Sequence, residues 1–291
     1  MNFFDKYIFT YGQSIFNKIH SIIVAPLVFI HTRIRSSKTL VSDTQSGDLF
    51  LVAHRGVNTH PSIIENTGEA FKLAWQTTQN IEFDLRMTID GEIVIHHDSN
   101  LQRLWGLSNV ISKTPLAELK IIAPQILTLN DLIASETQRQ KEYQFDNQNA
   151  LSSTWFVEIK TEEDSRHLIQ LLNVLKKLLG QLSENKAIRL KVILISLSDD
   201  VMAEIKTILS DYDRSMVYLL NKEKALGYIQ EDLECGLLGW YFNMPKIEHN
   251  NIGIGFLNHK SSYRYYQIKN EQRIYHDKKP VWLFSDRVDL F

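Results

Sequence analysis

Ile81-Glu82-Phe83-Asp84-Leu85-Arg86-Met87, continuing through Thr88-Ile89-Asp90-Gly91-Glu92 to Ile93-Val94-Ile95-His96-His97-Asp98, is the stretch that decides how the chain is read. Side chains alternate between the two faces of a strand, so Ile81, Phe83 and Leu85 share one side and Glu82 and Asp84 the other. Two carboxylates therefore stand where a half-buried strand should be apolar. Like charges inside a fold repel and lose hydration, which is costly unless a cation, a shared proton or a bonded partner compensates. A metal ion is the simplest compensation; an ion-pair network with Arg86 or another cation is the structural alternative. Asp90-Gly91 predicts a turn into a second strand at Ile93–Ile95, which delivers His97 and Asp98 to the same place. His96 faces the opposite way and reads as a packed imidazole.

Composition bounds what such a site can belong to. A chain of 291 residues with 44% hydrophobic content buries a substantial core, and one large α/β domain over residues 49–291 fits that length. A formal net charge of -2 gives no global case for nucleic acid as a partner. Cys235 is the only cysteine, so an intramolecular disulfide and a four-thiolate zinc site are excluded, and a reducing, cytoplasmic setting is compatible. Any metal must then take carboxylates and imidazoles, and dense carboxylate favours Mg²⁺ or Ca²⁺.

Residues 1–48 read separately, as an amphipathic helix followed by a polar linker. Phe4, Tyr7, Ile8, Tyr11, Ile15, Ile19, Ile22 and Ile23 recur at helical spacing. The apolar run ending at Ile30 is short for a membrane span and is interrupted by Pro26. Two readings fit equally well. One is a helix packed under the main domain; the other is an interfacial helix giving residues 1–30 a peripheral membrane contact. His31, Arg33, Arg35 and Lys38 would suit an anionic leaflet.

Outward from the opening stretch, residues 49–53 read as a buried first strand ending in His54-Arg55-Gly56. Glu65-Asn66-Thr67 precede a helical pattern carrying Ala70, Phe71 and Ala74. Thr114-Pro115 starts a short helix, and Thr128 with Asp131 caps another. The polar, Gln-rich residues 135–153 read as a helix end with an exposed loop. Residues 155–160 form the next strand and repeat the opening anomaly, with Glu158 and Lys160 on one face and Val157 and Ile159 on the other. A leucine-rich helix follows, with Gly180 as its stop, then strands at 190–197, 216–220, 237–242 and 280–284, and helices at 199–209 and 222–231. Strands alternating with helices predict a parallel sheet, and charged residues at strand C-terminal ends fit a (β/α) barrel with its site at that face.

Taken in order, His54-Arg55-Gly56, Glu65-Asn66-Thr67, Glu82 with Asp84, Asp90-Gly91, His97-Asp98 and Glu158-Ile159-Lys160 resemble the signature set of the glycerophosphodiester phosphodiesterases. No single piece suffices; six in order, each where the strand reading places it, are specific. Leu101, Arg103, Leu116, Glu118 and Leu119 also fall where that family has its segment after the His-Asp motif. The resemblance implies a TIM (β/α)8-type barrel and one divalent cation, Mg²⁺ or Ca²⁺, on Glu82, Asp84 and Glu158. It implies that His54 and His97 are acid and base and that Arg55 and Lys160 touch the phosphate of a small-molecule glycerophosphodiester. Glu65 and Asp98 support them, Glu65 either as a helix N-terminal charge or as a partner of Arg55. The products would be sn-glycerol 3-phosphate and an alcohol.

One departure shapes the expectation. The family's Trp-Thr-Val-Asn-like strand is matched by Val281-Trp282-Leu283-Phe284-Ser285-Asp286, read as a seventh strand, which leaves both a closed barrel and one incomplete at its C-terminal end open. Two further functions stay open beside hydrolysis of glycerophosphodiesters: a lysophospholipase D-type lipid phosphodiesterase, and a non-catalytic membrane or binding protein that keeps the fold.

Overall fold

The computed structural model describes residues 49–57, 62–147, 152–160, 165–185, 188–218, 235–240, 252–255, 281–286 and 288. The expected N-terminal amphipathic helix and linker, and the helix expected at 222–231, lie outside the described residues.

Eight parallel strands form the frame: β1 (Leu49–His54), β2 (Asn80–Met87), β5 (Ser152–Ile159), β6 (Arg189–Ser196), β7 (Asp213–Tyr218), β8 (Cys235–Trp240), β9 (Ile252–Gly255) and β10 (Val281–Ser285). Each pairs with its neighbour, and β1 pairs with both β2 and β10, Ala53 standing opposite Ile81 on one side and Ser285 on the other. The sheet therefore closes, which answers the question that the seven-strand reading left open. The strand that completes it is β9, whose sequence Ile-Gly-Ile-Gly is too short and too glycine-rich to show as a strand pattern.

A short excursion leaves the frame after β2. The chain turns at Gly91, where φ is +86°, and returns as β3 (Ile93–Ile95) antiparallel to β2, with Leu85 opposite Ile95. It then passes α2 (Gln102–Trp105), a 3-10 turn at Ile111–Lys113, α3 (Leu116–Ile122) and the two-residue β4 (Leu127–Thr128). Val94, Leu101, Ile111, Leu119, Ala123 and Ile126 give this excursion its own small core.

The outer layer contains α1 (Gly68–Ala74), α4 (Leu129–Asn147), α5 (Ser165–Glu184) and α6 (Asp199–Ile208). Thr67 caps α1 by accepting from the Ala70 amide. Thr128 and Asp131 exchange side-chain to backbone bonds of 3.0 and 3.1 Å at the start of α4. The apolar stripe Leu168, Leu171, Leu172, Leu175 and Leu179 buries α5 against the strands' outward face, with Ile81, Phe83, Leu85, Trp155 and Val157 in the same core. Residues 135–147 correct the expected loop. They continue α4 because Glu136 and Gln140 turn inward and bond Arg139, Ser153 and the Arg189 backbone at the strands' N-terminal ends. Among the described residues no helix is long and apolar enough to cross a membrane.

Inside the barrel the strands' other parity faces inward. Val52, Phe156, Ile193, Ile195, Trp282 and Phe284 form a dry floor, Phe156 meeting Trp282 and Phe284 edge to face at 5.2 and 4.9 Å.

Candidate active site

Two residues further along β1, β5 and β10 the floor gives way to charge. Val52 is followed by His54, Phe156 by Glu158 and Phe284 by Asp286, while β2 contributes Glu82 and Asp84. The register sets His54 beside Glu82 and Asp84 beside Glu158, so alternation and parallel pairing alone gather these groups at the barrel's C-terminal mouth.

Glu82, Asp84 and Glu158 each offer an oxygen within 4.8 Å of the others, and all three are buried. Burial, then the neighbouring charges of Asp84 and Glu158, pushes the Glu82 carboxyl well above its ordinary range. Burial likewise raises Glu158, against the opposing pull of Lys160. Asp84 is buried too, yet Lys160 and Arg55 outweigh burial and hold it well below the usual carboxylate range. Lys160 Nζ lies 2.8 Å from Asp84 and 2.5 Å from Glu158. Glu82 Oε1 is buried with no hydrogen-bond partner among the described residues. A hard divalent cation is what such an all-oxygen donor set suits, and these three residues fit one.

Arg55 owes its place to backbone geometry. It adopts φ +57° and is followed by Gly56 at φ +80°, where a Cβ would stand 2.7 Å from the Ala70 backbone. A left-handed arginine costs on the order of 1–2 kcal/mol, and such strain collects at functional sites. Its amide donates to the Glu82 carbonyl and carboxylate at 2.9 and 3.2 Å. Its guanidinium pairs with Asp84 at 3.2 Å and with Glu65 at 3.1 Å. Asn66, also left-handed at φ +59°, donates to Asp84 at 2.7 Å.

Both histidines meet carboxylates. His54 Nδ1 lies 2.6 Å from Asp286 and its Nε2 3.7 Å from Glu82. His97 Nδ1 lies 2.8 Å from Asp98. Arg86 Nε and Nη2 donate to the His97 carbonyl at 3.0 and 2.9 Å and hold that loop, while the cations that pair with Asp84 are Arg55 and Lys160, so an ion-pair network with other cations stands beside the cation-competent cluster. Burial, then the charges of Arg55 and Lys160, pushes the His97 imidazole down to about 3. Asp98, although burial opposes it, is held well below the usual carboxylate range by His97 and Arg103. His96 is packed as expected, stacked on Trp105 at 5.3 Å with Nδ1 donating to the Asp98 carbonyl.

All nine sequence-predicted site residues thus fall in one connected cluster. Asp286, Asn66, Arg86 and Arg103 were not among them. Parity would have found Asp286, two residues after inward Phe284, and Arg86, two residues after Asp84 on β2; Asn66 and Arg103 act through contacts between segments that no spacing encodes.

A closed eight-stranded (β/α) barrel with a cation-competent acidic cluster at its C-terminal mouth defines a class of catalytic scaffold rather than one chemistry. Within that class, the sequence model of the Glycerophosphoryl diester phosphodiesterase family matches residues 54–234, and the chain belongs to that family. It is 35% identical over 77 residues to a lysophospholipase D of Mus musculus, covering 26% of this chain and only 23% of that relative's length. Solved structures are similar in fold over much more of the chain. A phosphodiesterase of Oleispira antarctica, solved in complex with the product sn-glycerol-3-phosphate, has a TM-score of 0.63 at 20% identity, covering 81% of this chain and 92% of that one. A glycerophosphodiester phosphodiesterase of Thermotoga maritima has a TM-score of 0.57 at 21% identity, covering 84% and 96%.

Proposed function

We propose that the chain is a cation-dependent glycerophosphodiester phosphodiesterase that releases sn-glycerol 3-phosphate and an alcohol. The observation that carries this reading is the convergence of Glu82, Asp84 and Glu158 within 4.8 Å beside two carboxylate-backed imidazoles. Glu82, Asp84 and Glu158 would hold Mg²⁺ or Ca²⁺, which when bound supplies positive charge against the phosphate's non-bridging oxygens. Arg55 and Lys160 add fixed positive charge from the same mouth as negative charge shifts during the reaction. The family membership and the product named for the Oleispira antarctica structure support the substrate class.

The two imidazoles account for the protons. An oxygen nucleophile, water or the substrate's own glycerol hydroxyl, loses its proton to one imidazole as its bond to phosphorus forms. The other imidazole gives a proton to the departing alkoxide as the second P–O bond breaks. Burial and the charges of Arg55 and Lys160 hold the His97 ring neutral. Asp98 and Asp286 fix the two rings through Nδ1.

Glycerophosphocholine hydrolysis tests the proposal. Release of sn-glycerol 3-phosphate should stop on EDTA treatment and return with Mg²⁺ or Ca²⁺; release that EDTA leaves untouched would sink it. The mouse relative's name favours a second reading, in which a lysophospholipid is the substrate and residues 1–30 present the membrane. Choline release from lysophosphatidylcholine well above that from glycerophosphocholine would select it.

A further inference from the structure

We infer that Arg103 is a positioning residue that ties the two loops of the site together, holding His97 and Arg55 in register through their carboxylate partners. The inference rests on the hydrolytic reading above. Arg103 lies on α2, outside the barrel frame, and its side chain is 39% exposed. Nothing about an exposed arginine on a four-residue helix would mark it. Its contacts do: Nε donates to Asp98 Oδ2 at 2.6 Å, while Nη1 and Nη2 donate to the two Glu65 oxygens at 3.1 and 2.5 Å. One guanidinium thus spends its fork on Glu65 and its remaining edge on Asp98.

Each of those carboxylates has a second obligation. Asp98 Oδ1 meets His97 Nδ1 at 2.8 Å, and Glu65 Oε1 accepts from Arg55 Nη1 at 3.1 Å. The result is a chain of alternating charge, Arg55, Glu65, Arg103, Asp98 and then the His97 ring. It joins the loop after β1 to the loop after β3, which no strand pairing connects. An isolated exposed ion pair contributes little, but a bidentate pair that also bridges a second carboxylate is a network. Without the guanidinium, Glu65 would keep Arg55 as its cation while Asp98 would be left against the neutral His97 ring, and each would lose the bond that keeps it aimed at its partner. Because Asp98 is ionised and accepts only, its bond also fixes the proton of neutral His97 on Nδ1. The other anchors of α2 are independent of this chain: Leu101 is buried and Trp105 stacks on His96. The helix should therefore stay in place when Arg103 is changed.

The test compares wild type with Arg103→Ala and Arg103→Lys in glycerophosphocholine turnover, with added guanidinium, and by nitrogen-15 NMR of the His97 ring. Losing a residue that orients a site residue through another typically costs about 10–100-fold. Arg103→Ala should lower kcat by that factor with KM changed less than about threefold. Guanidinium should restore part of the loss, and Arg103→Lys should stay low because one ammonium cannot span both carboxylates. The His97 ring should pass from a single Nδ1–H tautomer to a mixture. A kcat within about twofold of wild type, or a loss that guanidinium does not relieve with the tautomer unchanged, would overturn the inference. If the wild type itself hydrolyses nothing, the hydrolytic reading falls, and the tautomer of Arg103→Ala still decides whether the coupling exists.

Discussion

The floor and the rim of the barrel interior are built from the same strands at the same parity, one pleat apart. Phe156 is floor and Glu158 is rim; Phe284 is floor and Asp286 is rim. The floor lowers the free energy of folding, because each buried aromatic removes a large apolar surface from water. The rim raises it, because burial and the charge of Asp84 push Glu82 and Glu158 above their ordinary ionisation range. A two-residue step along one strand thus divides stability from chemistry.

The largest effects should fall on one side of that division only. His54→Ala, His97→Ala or Glu82→Ala should each lower kcat/KM on glycerophosphocholine by about 10³-fold or more, with the circular dichroism spectrum unchanged. Activity retained in any of these variants would blur the division. Phe156→Ala should do the reverse, costing about 3–5 kcal/mol in urea unfolding while the remaining folded enzyme turns over at nearly the wild-type rate. Asp286→Ala sits at the boundary: it should lower kcat by about 10–100-fold with little loss of stability, since it removes the partner of His54 Nδ1 and no packing.

The smallest effect concerns pH. The unfolded chain takes up a proton at His97 below about pH 6.5, the folded chain only near pH 3, so this contribution is complete above 6.5 and falls as pH drops through that window. At pH 5 the loss approaches about 2 kcal/mol, and His97→Gln should lack it when unfolding midpoints at pH 7 and pH 5 are compared.

Much of this was legible in the residues. Alternation put Glu82 with Asp84, and Glu158 with Lys160, on one strand face opposite the apolar side chains, because a two-residue period survives burial. The turn at Asp90-Gly91 and the capping pair Thr128 and Asp131 were legible for the same reason: their chemistry is local. Barrel closure was not. The pairing of β1 with β10 joins residues more than two hundred positions apart, and β9 carries no periodic signal at all. The polar face of α4 misled because Glu136 and Gln140 look solvent-seeking until Ser153 and the Arg189 backbone meet them. Arg103 was not read as a site residue because its partners Glu65 and Asp98 lie on loops that only the fold brings together.

The most direct test of the account is a calorimetric titration of Mg²⁺ or Ca²⁺ into EDTA-stripped protein, wild type beside Glu82→Gln. Wild type should bind one ion per chain and Glu82→Gln should bind it about 100-fold more weakly or not at all, because it replaces a ligand carboxylate with a neutral amide. Equal binding in the two proteins, or none in the wild type, would contradict the claim that Glu82, Asp84 and Glu158 form a cation site.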